Sequence, residues 1–342
     1  MNGDRPLIEI KNLKKYFPVE RGFFKRIVGY VKAVDDVSFT IKEGETFALV
    51  GESGCGKTTT AKCILRAVDV TDGDILLYLD DTQINIARLN KGQLKTYRKY
   101  MQYIFQNPYT SLNPRMKVKE IVGEPLIVNK IAKGKELEAS VAELLEAVGL
   151  HPDYMIRYPY AFSGGQRQRI VIARALALKP KLVICDEPVA ALDLSIRAQI
   201  LNLLVELQQK FQLTYLFISH DLGVVQHIAD RLAVMYLGKI FEIAEAQEIF
   251  ENPKHPYTNS LLNSVPKIDP SFRAENLRPV EGEVPNPINP PSGCYFHPRC
   301  PFAQQICKEI QPKLENFGSE DNPHFVACHF AEKLSFKQCS TL

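Results

Sequence analysis

No apolar run in this 342-residue chain approaches the roughly 18–20 residues that a membrane-spanning helix needs. The opening Met1-Asn2-Gly3-Asp4-Arg5-Pro6 carries no apolar stretch of the secretory-signal kind. A soluble chain is expected, with any membrane role reached through partners. Charge of one sign is equally scarce. The 42 Lys and Arg against 39 Asp and Glu leave a net charge of +3, too little to argue for a nucleic-acid partner. No internal repeat is visible, so a chain carrying two copies of one domain is excluded. The eight cysteines include no tight C-x2-C pair of the sort that marks ordinary zinc folds. With 45% hydrophobic and 24% charged residues, the composition is that of a globular protein, enough for a large α/β domain plus a smaller appendage.

What the chain does have is Gly51-Glu52-Ser53-Gly54-Cys55-Gly56-Lys57-Thr58-Thr59, which reads G-x-x-x-x-G-K-T. The glycines allow a tight turn whose successive N–H groups face phosphate oxygens. Lys57 is expected to reach the β- and γ-phosphates, and the Thr58 hydroxyl to ligate Mg²⁺. The apolar run 46–50 before the loop predicts a buried strand, and 61–68 after it a helix whose N-terminus faces the phosphates.

Along the chain, alternation over 7–13 and strand character over 31–41 predict a β layer, with a basic, aromatic stretch at 20–32 read as a hairpin tip or surface loop rather than a membrane contact. Further strands are expected at 73–79 and 100–105, with a helix at 91–99 between them. Residues 107–178 read as a helical insertion, with helices at 118–128, 136–148 and 170–178. Ser163 is a good N-cap there, and the following glycines expose its N–H groups. Strands at 182–185 and 214–218 flank a helix at 195–211. A closing strand pair, 231–236 and 239–243, turns at Leu237-Gly238. Alternation of strand and helix from 46 to about 230 predicts a mainly parallel sheet covered by helices. From about 265, Pro266, Pro270, Pro279, Pro285, Pro287, Pro290 and Pro291 mark an extended linker.

ATP hydrolysis needs a phosphate cradle, Mg²⁺, a positioned water and cations or dipoles on the γ-phosphate. Asp186, at a strand end, suits Mg²⁺; Glu187 beside it suits polarising water. Gln106, at another strand end, suits Mg²⁺ and water, and His220, at a third, suits the γ-phosphate. In an open parallel sheet ligands gather at such carboxyl ends.

Ser163-Gly164-Gly165-Gln166 resembles the ABC signature motif. With Gln106 as Q-loop, Asp186-Glu187 ending Walker B, Ala191-Leu192-Asp193 as D-loop and His220 as H-loop, the chain resembles an ABC ATPase over about residues 7–245. The fold this implies is α/β: a phosphate-loop ABC ATPase with a mainly parallel sheet, an antiparallel β subdomain, a helical insertion and a small Cys-rich appendage. The corresponding domains are 1–250, a helix and Pro-rich linker at 251–292, and a Cys-rich region at 293–342. Phe17 becomes the aromatic expected to stack on adenine, with Tyr16 the alternative. Two departures are Phe162 where Leu is usual and Ala190 where Ser is common. The resemblance implies two such domains sandwiching two ATP molecules. Lys57, Thr58, Gln106, Asp186, Glu187 and His220 serve one ATP, while Ser163 and Gly165 reach the partner's; a membrane subunit docks near 106–125.

His255-Pro256-Tyr257-Thr258, Gly293-Cys294 through Cys300-Pro301, and Asn113-Pro114-Arg115-Met116 resemble oligopeptide/dipeptide importers, F-type subunits in particular. This implies a peripheral protein at the cytoplasmic face of the membrane. Its implied partners are a second, homologous ATPase in a heterodimer, two permease subunits and an extracytoplasmic solute-binding protein. Nickel or oligosaccharide cargo, or a soluble ABC protein acting on ribosomes or DNA, are the alternatives. Cys294, Cys300, Cys307 and Cys328 run C-x5-C-x6-C-x20-C. Four thiolates suit an iron–sulfur cluster or Zn²⁺. The resemblance favours [4Fe–4S], with zinc or no metal as the other readings. His297, His324 and His329 are nearby substitutes, and Cys339 is expected to be free. Cys55 and Cys185 read as small buried hydrophobes.

Overall fold

A computed structural model describes residues 5–22, 26–80, 82–264, 282–334 and 336. Pro266, Pro270, Pro279 and Cys339, singled out above, and residues 23–25 of the basic, aromatic stretch lie outside the described residues. The chain divides into two compact units. One comprises residues 1–7, 41–45 and 89–218, and the other 8–40, 46–88 and 219–342. A boundary at residue 250 is therefore not a boundary of these units. The Cys-rich segment belongs to the same unit as the phosphate loop.

In the first unit, Leu182–Asp186 pairs in parallel with Met101–Ile104 on one side and with Thr214–Ser219 on the other. All five residues of Leu182–Asp186 are buried. That burial on both faces is why the strand reads as continuous apolar sequence rather than an alternation. The helical insertion follows its periodicity closely, with helices Val118–Val128, Gly134–Ala147 and Gly164–Leu176. Val118, Ile121 and Val122 of the first, and Leu137, Val141 and Leu145 of the second, are the buried faces. Arg174 ties the third helix to the loop at Ser111 through its carbonyl, at 2.8 Å.

In the second unit, Thr46–Val50 is wholly buried and pairs in parallel with Arg231–Tyr236, which turns back antiparallel into Lys239–Glu245. Asp230 fixes the start of the central strand by accepting the Thr46 N–H at 2.7 Å. A separate antiparallel sheet is built from Pro6–Arg21, Arg26–Lys42, Asp72–Leu79 and Thr82–Asn85. The first strand runs well beyond 13, through a register shift between Lys11 and Lys14 that interrupts its alternation.

The C-terminal segment is docked by aromatic and polar packing. His255 caps the helix Pro256–Asn263 by accepting the Tyr257 N–H at 3.0 Å. Tyr257, Tyr236 and Phe296 pack ring against ring at 4.7–5.6 Å between centroids. Such pairs contribute about 0.5–1.5 kcal/mol each beyond area burial. The fully buried Glu242 accepts the Lys254 and His255 N–H groups and lies 2.6 Å from His324 Nε2. A short strand, Phe325–Val326, then pairs with Lys239–Glu245.

Burial, outweighing the nearby Glu242 carboxylate, pushes the His255 imidazole down to about 4, whereas an unfolded histidine titrates near 6.5. Between those values the unfolded chain holds the extra proton. The contribution of His255 to stability is therefore complete above about pH 6.5 and is lost progressively as pH falls towards 4. His255→Asn, which keeps a capping oxygen, is expected to flatten this slope. Urea-unfolding midpoints at pH 7 and pH 5, compared with the unaltered chain, measure it.

Candidate functional site

The phosphate loop lies in the second unit and is shaped by two close backbone approaches. Gly51 has φ +145° and Gly56 φ +111°. A Cβ on Gly51 would sit 2.1 Å from the Met235 carbonyl oxygen, and one on Gly56 2.1 Å from that of Ala33. Only glycine fits either position. Lys57 opens an eight-residue helix, Lys57–Ile64, four residues earlier than the periodicity suggests. Its ammonium is buried and donates to the carbonyls of Gly51 at 2.7 Å and Glu52 at 3.0 Å. Thr58 is exposed on the first turn, beside Thr59. Ser53 and Gly54 are exposed at the tip. Cys55 is buried, and burial raises its thiol pKa. It behaves as the small hydrophobe the sequence suggests.

Glu52 departs from a simple phosphate cradle. Its N–H donates to the Tyr257 hydroxyl at 3.0 Å. Its carboxylate receives both arms of the Arg299 guanidinium, at 2.9 and 3.1 Å. Both partners come from C-terminal segments, and nothing in the loop sequence signals them.

The two aromatics considered for adenine stacking differ in their surroundings. The Tyr16 hydroxyl is taken up by Asp35 at 2.5 Å, with Tyr295 and Lys239 also on that carboxylate. Phe17 is 37% exposed with the Lys15 ammonium over its ring. Phe17 is thus the ring presented to solvent. His220, in the same unit, is exposed directly after the strand ending at Ser219.

The first unit holds the carboxylates. Asp186 ends the buried strand and accepts the Tyr103 hydroxyl at 2.5 Å. Burial and this contact raise the Tyr103 pKa, so the phenol remains a donor. Glu187 follows with φ +48°, a left-handed backbone uncommon outside glycine. Its N–H donates to the Ile218 carbonyl at 2.9 Å. Its carboxylate accepts from the Gln106 side-chain amide at 2.6 Å. Held strain of this kind, about 1–3 kcal/mol, is a recurrent property of functional positions. Gln106, Asp186 and Glu187 are therefore brought together as the sequence suggests.

Ser163 caps the helix Gly164–Leu176 in a reciprocal box with Gln166, at 3.4 and 3.1 Å. The helix begins in the signature glycines rather than at 170. Gly165 is buried, and a Cβ there would meet Ile196 at 2.6 Å. Asp193 is exposed at the start of Leu194–Phe211, beside Leu194 at 82% exposure. Arg197 braces the turn before it by donating to the Leu192 and Ala190 carbonyls. Apolar side chains at Phe105, Tyr109, Ile127, Val128 and Ile131 are exposed on this unit.

A metal-ion site at the cysteines is not supported. Among the described residues no group of three or more His, Cys, Asp or Glu is placed to hold a metal ion. That finding supports neither the zinc nor the iron–sulfur reading, each of which needs thiolates converging on one centre. Cys294, Cys300, Cys307 and Cys328 do line one common cavity, with Phe302 and Phe330. Burial raises the thiols of Cys294 to about 12 and Cys300 to about 11, and the neighbouring thiols push the same way. His324 is engaged with Glu242 and does not line this cavity. His297 and His329 do line it, and each lies against a backbone carbonyl, of Cys294 and Ile310. Among the described residues no helix is long and apolar enough to cross a membrane.

Comparison with known proteins agrees with this arrangement. A family described as "ABC transporter" matches residues 34–190, and "Oligopeptide/dipeptide transporter, C-terminal region" matches 241–307. The oligopeptide transport ATP-binding protein AppF of Bacillus subtilis (strain 168) is 51% identical over 94% of this chain and 97% of its own length. The dipeptide transport ATP-binding protein DppF of Escherichia coli (strain K12) is 45% identical over 95% and 94%. Among solved structures, the dimeric post-hydrolysis state of the ATP-binding cassette MJ0796 with ADP and Pi is similar, with a TM-score of 0.60. It is 28% identical, covering 70% of this chain and 98% of that one.

Proposed function

From the premise that this chain belongs to the ATP-binding subunits of the oligopeptide/dipeptide ABC transporter family, we propose that it binds and hydrolyses ATP to drive peptide import. It would work at the cytoplasmic face of the membrane, beside a second ATPase subunit, two permease subunits and an external peptide-binding protein. The relatives named for oligopeptide and dipeptide transport favour peptides over nickel or oligosaccharides. The dimeric cassette similar to this chain supports the paired arrangement.

The observation that carries the hydrolytic reading is the Gln106–Glu187 contact at the end of a buried strand. In the proposed reaction Lys57 holds the β- and γ-phosphates, and Phe17 stacks on the adenine. Thr58, Gln106 and Asp186 are the residues suited to Mg²⁺; Tyr103 fixes the Asp186 carboxylate in orientation. When bound, Mg²⁺ neutralises phosphate charge. Glu187 polarises the attacking water, Gln106 orients it, and His220 donates to the γ-phosphate as charge moves onto the leaving oxygen. Ser163 and Gly165 at the helix N-terminus, with Asp193, serve the nucleotide held by the partner ATPase. The exposed apolar side chains around 105–131 suit a docking helix of a permease.

The four cysteines are proposed to hold a [4Fe–4S] cluster. All four thiols line one cavity, among the apolar side chains of Phe302, Phe330 and Leu334. Positive iron would keep the thiols ionised, which the cavity alone disfavours. The cluster would act as a staple for a segment with a small core of its own.

Glu187→Gln is expected to keep ATP affinity close to that of the unaltered chain while turnover falls by about 10²–10⁴-fold. Unchanged hydrolysis in the assembled transporter would remove Glu187 from this role. Iron and acid-labile sulfide, each near four per chain after anaerobic purification and lost in Cys300→Ser, are the outcome expected for the cluster. Their absence from the unaltered chain would overturn it.

A further inference from the structure

A glutamate in a phosphate-binding loop poses an electrostatic problem. Glu52 follows Gly51 directly, and its carboxylate would repel the anion that the loop is built to hold. The structure supplies a solution from far along the chain. Arg299 grips Glu52 with two parallel hydrogen bonds, at 2.9 and 3.1 Å, in the fork geometry that suits a guanidinium and a carboxylate. The Arg299 side chain is 6% exposed and that of Glu52 23%. A pair so shielded from solvent is weakly screened by salt. The Tyr236 hydroxyl accepts from the same guanidinium at 3.2 Å. Arg299 is itself fixed by a turn of 3-10 helix, His297–Arg299, between Cys294 and Cys300, with its N–H on the Phe296 carbonyl at 2.9 Å. Phe296 in turn is wholly buried among Tyr236 and Tyr257.

We propose that Arg299 is a positioning residue of the nucleotide site: the counter-charge, delivered by the Cys-rich segment, that allows an acidic residue to stand in the phosphate loop. This rests on the reading of that loop as the ATP site. It gives the C-terminal segment a part in ATP affinity as well as in stability. Because the pair acts through charge, its two members have opposite effects. Removing Arg299 leaves a bare carboxylate beside the phosphates and weakens binding. Removing the charge of Glu52 leaves the positive charge of Arg299 without that counter-charge and does not weaken it. A clamp that merely held the loop in shape would weaken binding from either side.

The test is titration of the purified full-length chain with a fluorescent ATP analogue and Mg²⁺ at two salt concentrations. Arg299→Met is expected to raise Kd roughly tenfold, the scale of one uncompensated charge near the phosphates in a protein-like dielectric. Glu52→Gln should bind at least as tightly as the unaltered chain. The double variant should return to within about threefold of it, although Arg299 is still missing. Should Arg299→Met prove too unstable to assay, Glu52→Gln, which leaves the Cys-rich segment untouched, carries the test alone. Equal weakening in both single variants, or no recovery in the double variant, would overturn the proposal. Lys57→Ala separates the two readings. If it weakens binding while Arg299→Met does not, only the counter-charge fails. If Lys57→Ala has no effect, the loop is not the ATP site and both fail.

Discussion

Two carbonyl oxygens, of Ala33 and Met235, define the space in which the phosphate loop turns. Each stands 2.1 Å from where a side chain would begin, at Gly56 and at Gly51. The loop can pass there only as bare backbone, with positive φ at both positions. That passage sets Lys57 at the head of a helix. The strand Thr46–Val50, locked at its start by Asp230 and paired with Arg231–Tyr236, holds the loop against those carbonyls. Other features of this unit, including the Tyr257 hydroxyl on the Glu52 N–H, depend on that placement.

The C-terminal segment is built into the same unit by interactions that tolerate little change. Glu242 has no exposed surface and is satisfied by two backbone N–H groups and His324. A buried carboxylate with those contacts removed would cost several kcal/mol. The three rings of Tyr236, Tyr257 and Phe296 fill the space beside it. Arg299 and Tyr257 extend this packing to the phosphate loop, so the segment that distinguishes the transporter family also touches its chemistry. In the other unit, rigidity is local. The left-handed backbone at Glu187, the Tyr103 hydroxyl on Asp186 and the Gln106 amide on Glu187 fix two carboxylates at one strand end.

Features encoded by local pattern were legible in the sequence. The apolar run 46–50, the glycine spacing after it and the strand end at Asp186-Glu187 all appear where expected, because burial on both faces and positive φ restrict residue type directly. Helix starts were less legible. Lys57–Thr60 is polar and shows no periodicity, so the helix was placed late. Ser163 reads as an N-cap in the sequence, and the Ser163–Gln166 box places the helix start there rather than at 170. The first strand was cut short because its register shift near Lys11–Lys14 breaks alternation. Contacts between distant positions left no trace. Glu52 and Arg299 lie 247 residues apart, and Glu52 and Tyr257 lie 205 apart. The contact by which Asp35 takes up the Tyr16 hydroxyl, 19 residues away, is likewise not marked by local pattern. The cysteine spacing suggested a ligand set, and only the fold shows the four thiols sharing a cavity without a single-ion geometry.

ATP hydrolysis by this chain is proposed to drive peptide across a membrane. Uptake of a labelled oligopeptide into proteoliposomes, holding this chain with its second ATPase, permease and binding-protein partners, tests it directly. The account predicts accumulation only when ATP and Mg²⁺ are on the side that bears this chain. Accumulation without ATP, or ATP hydrolysis by the complete assembly with no peptide moved, would contradict it.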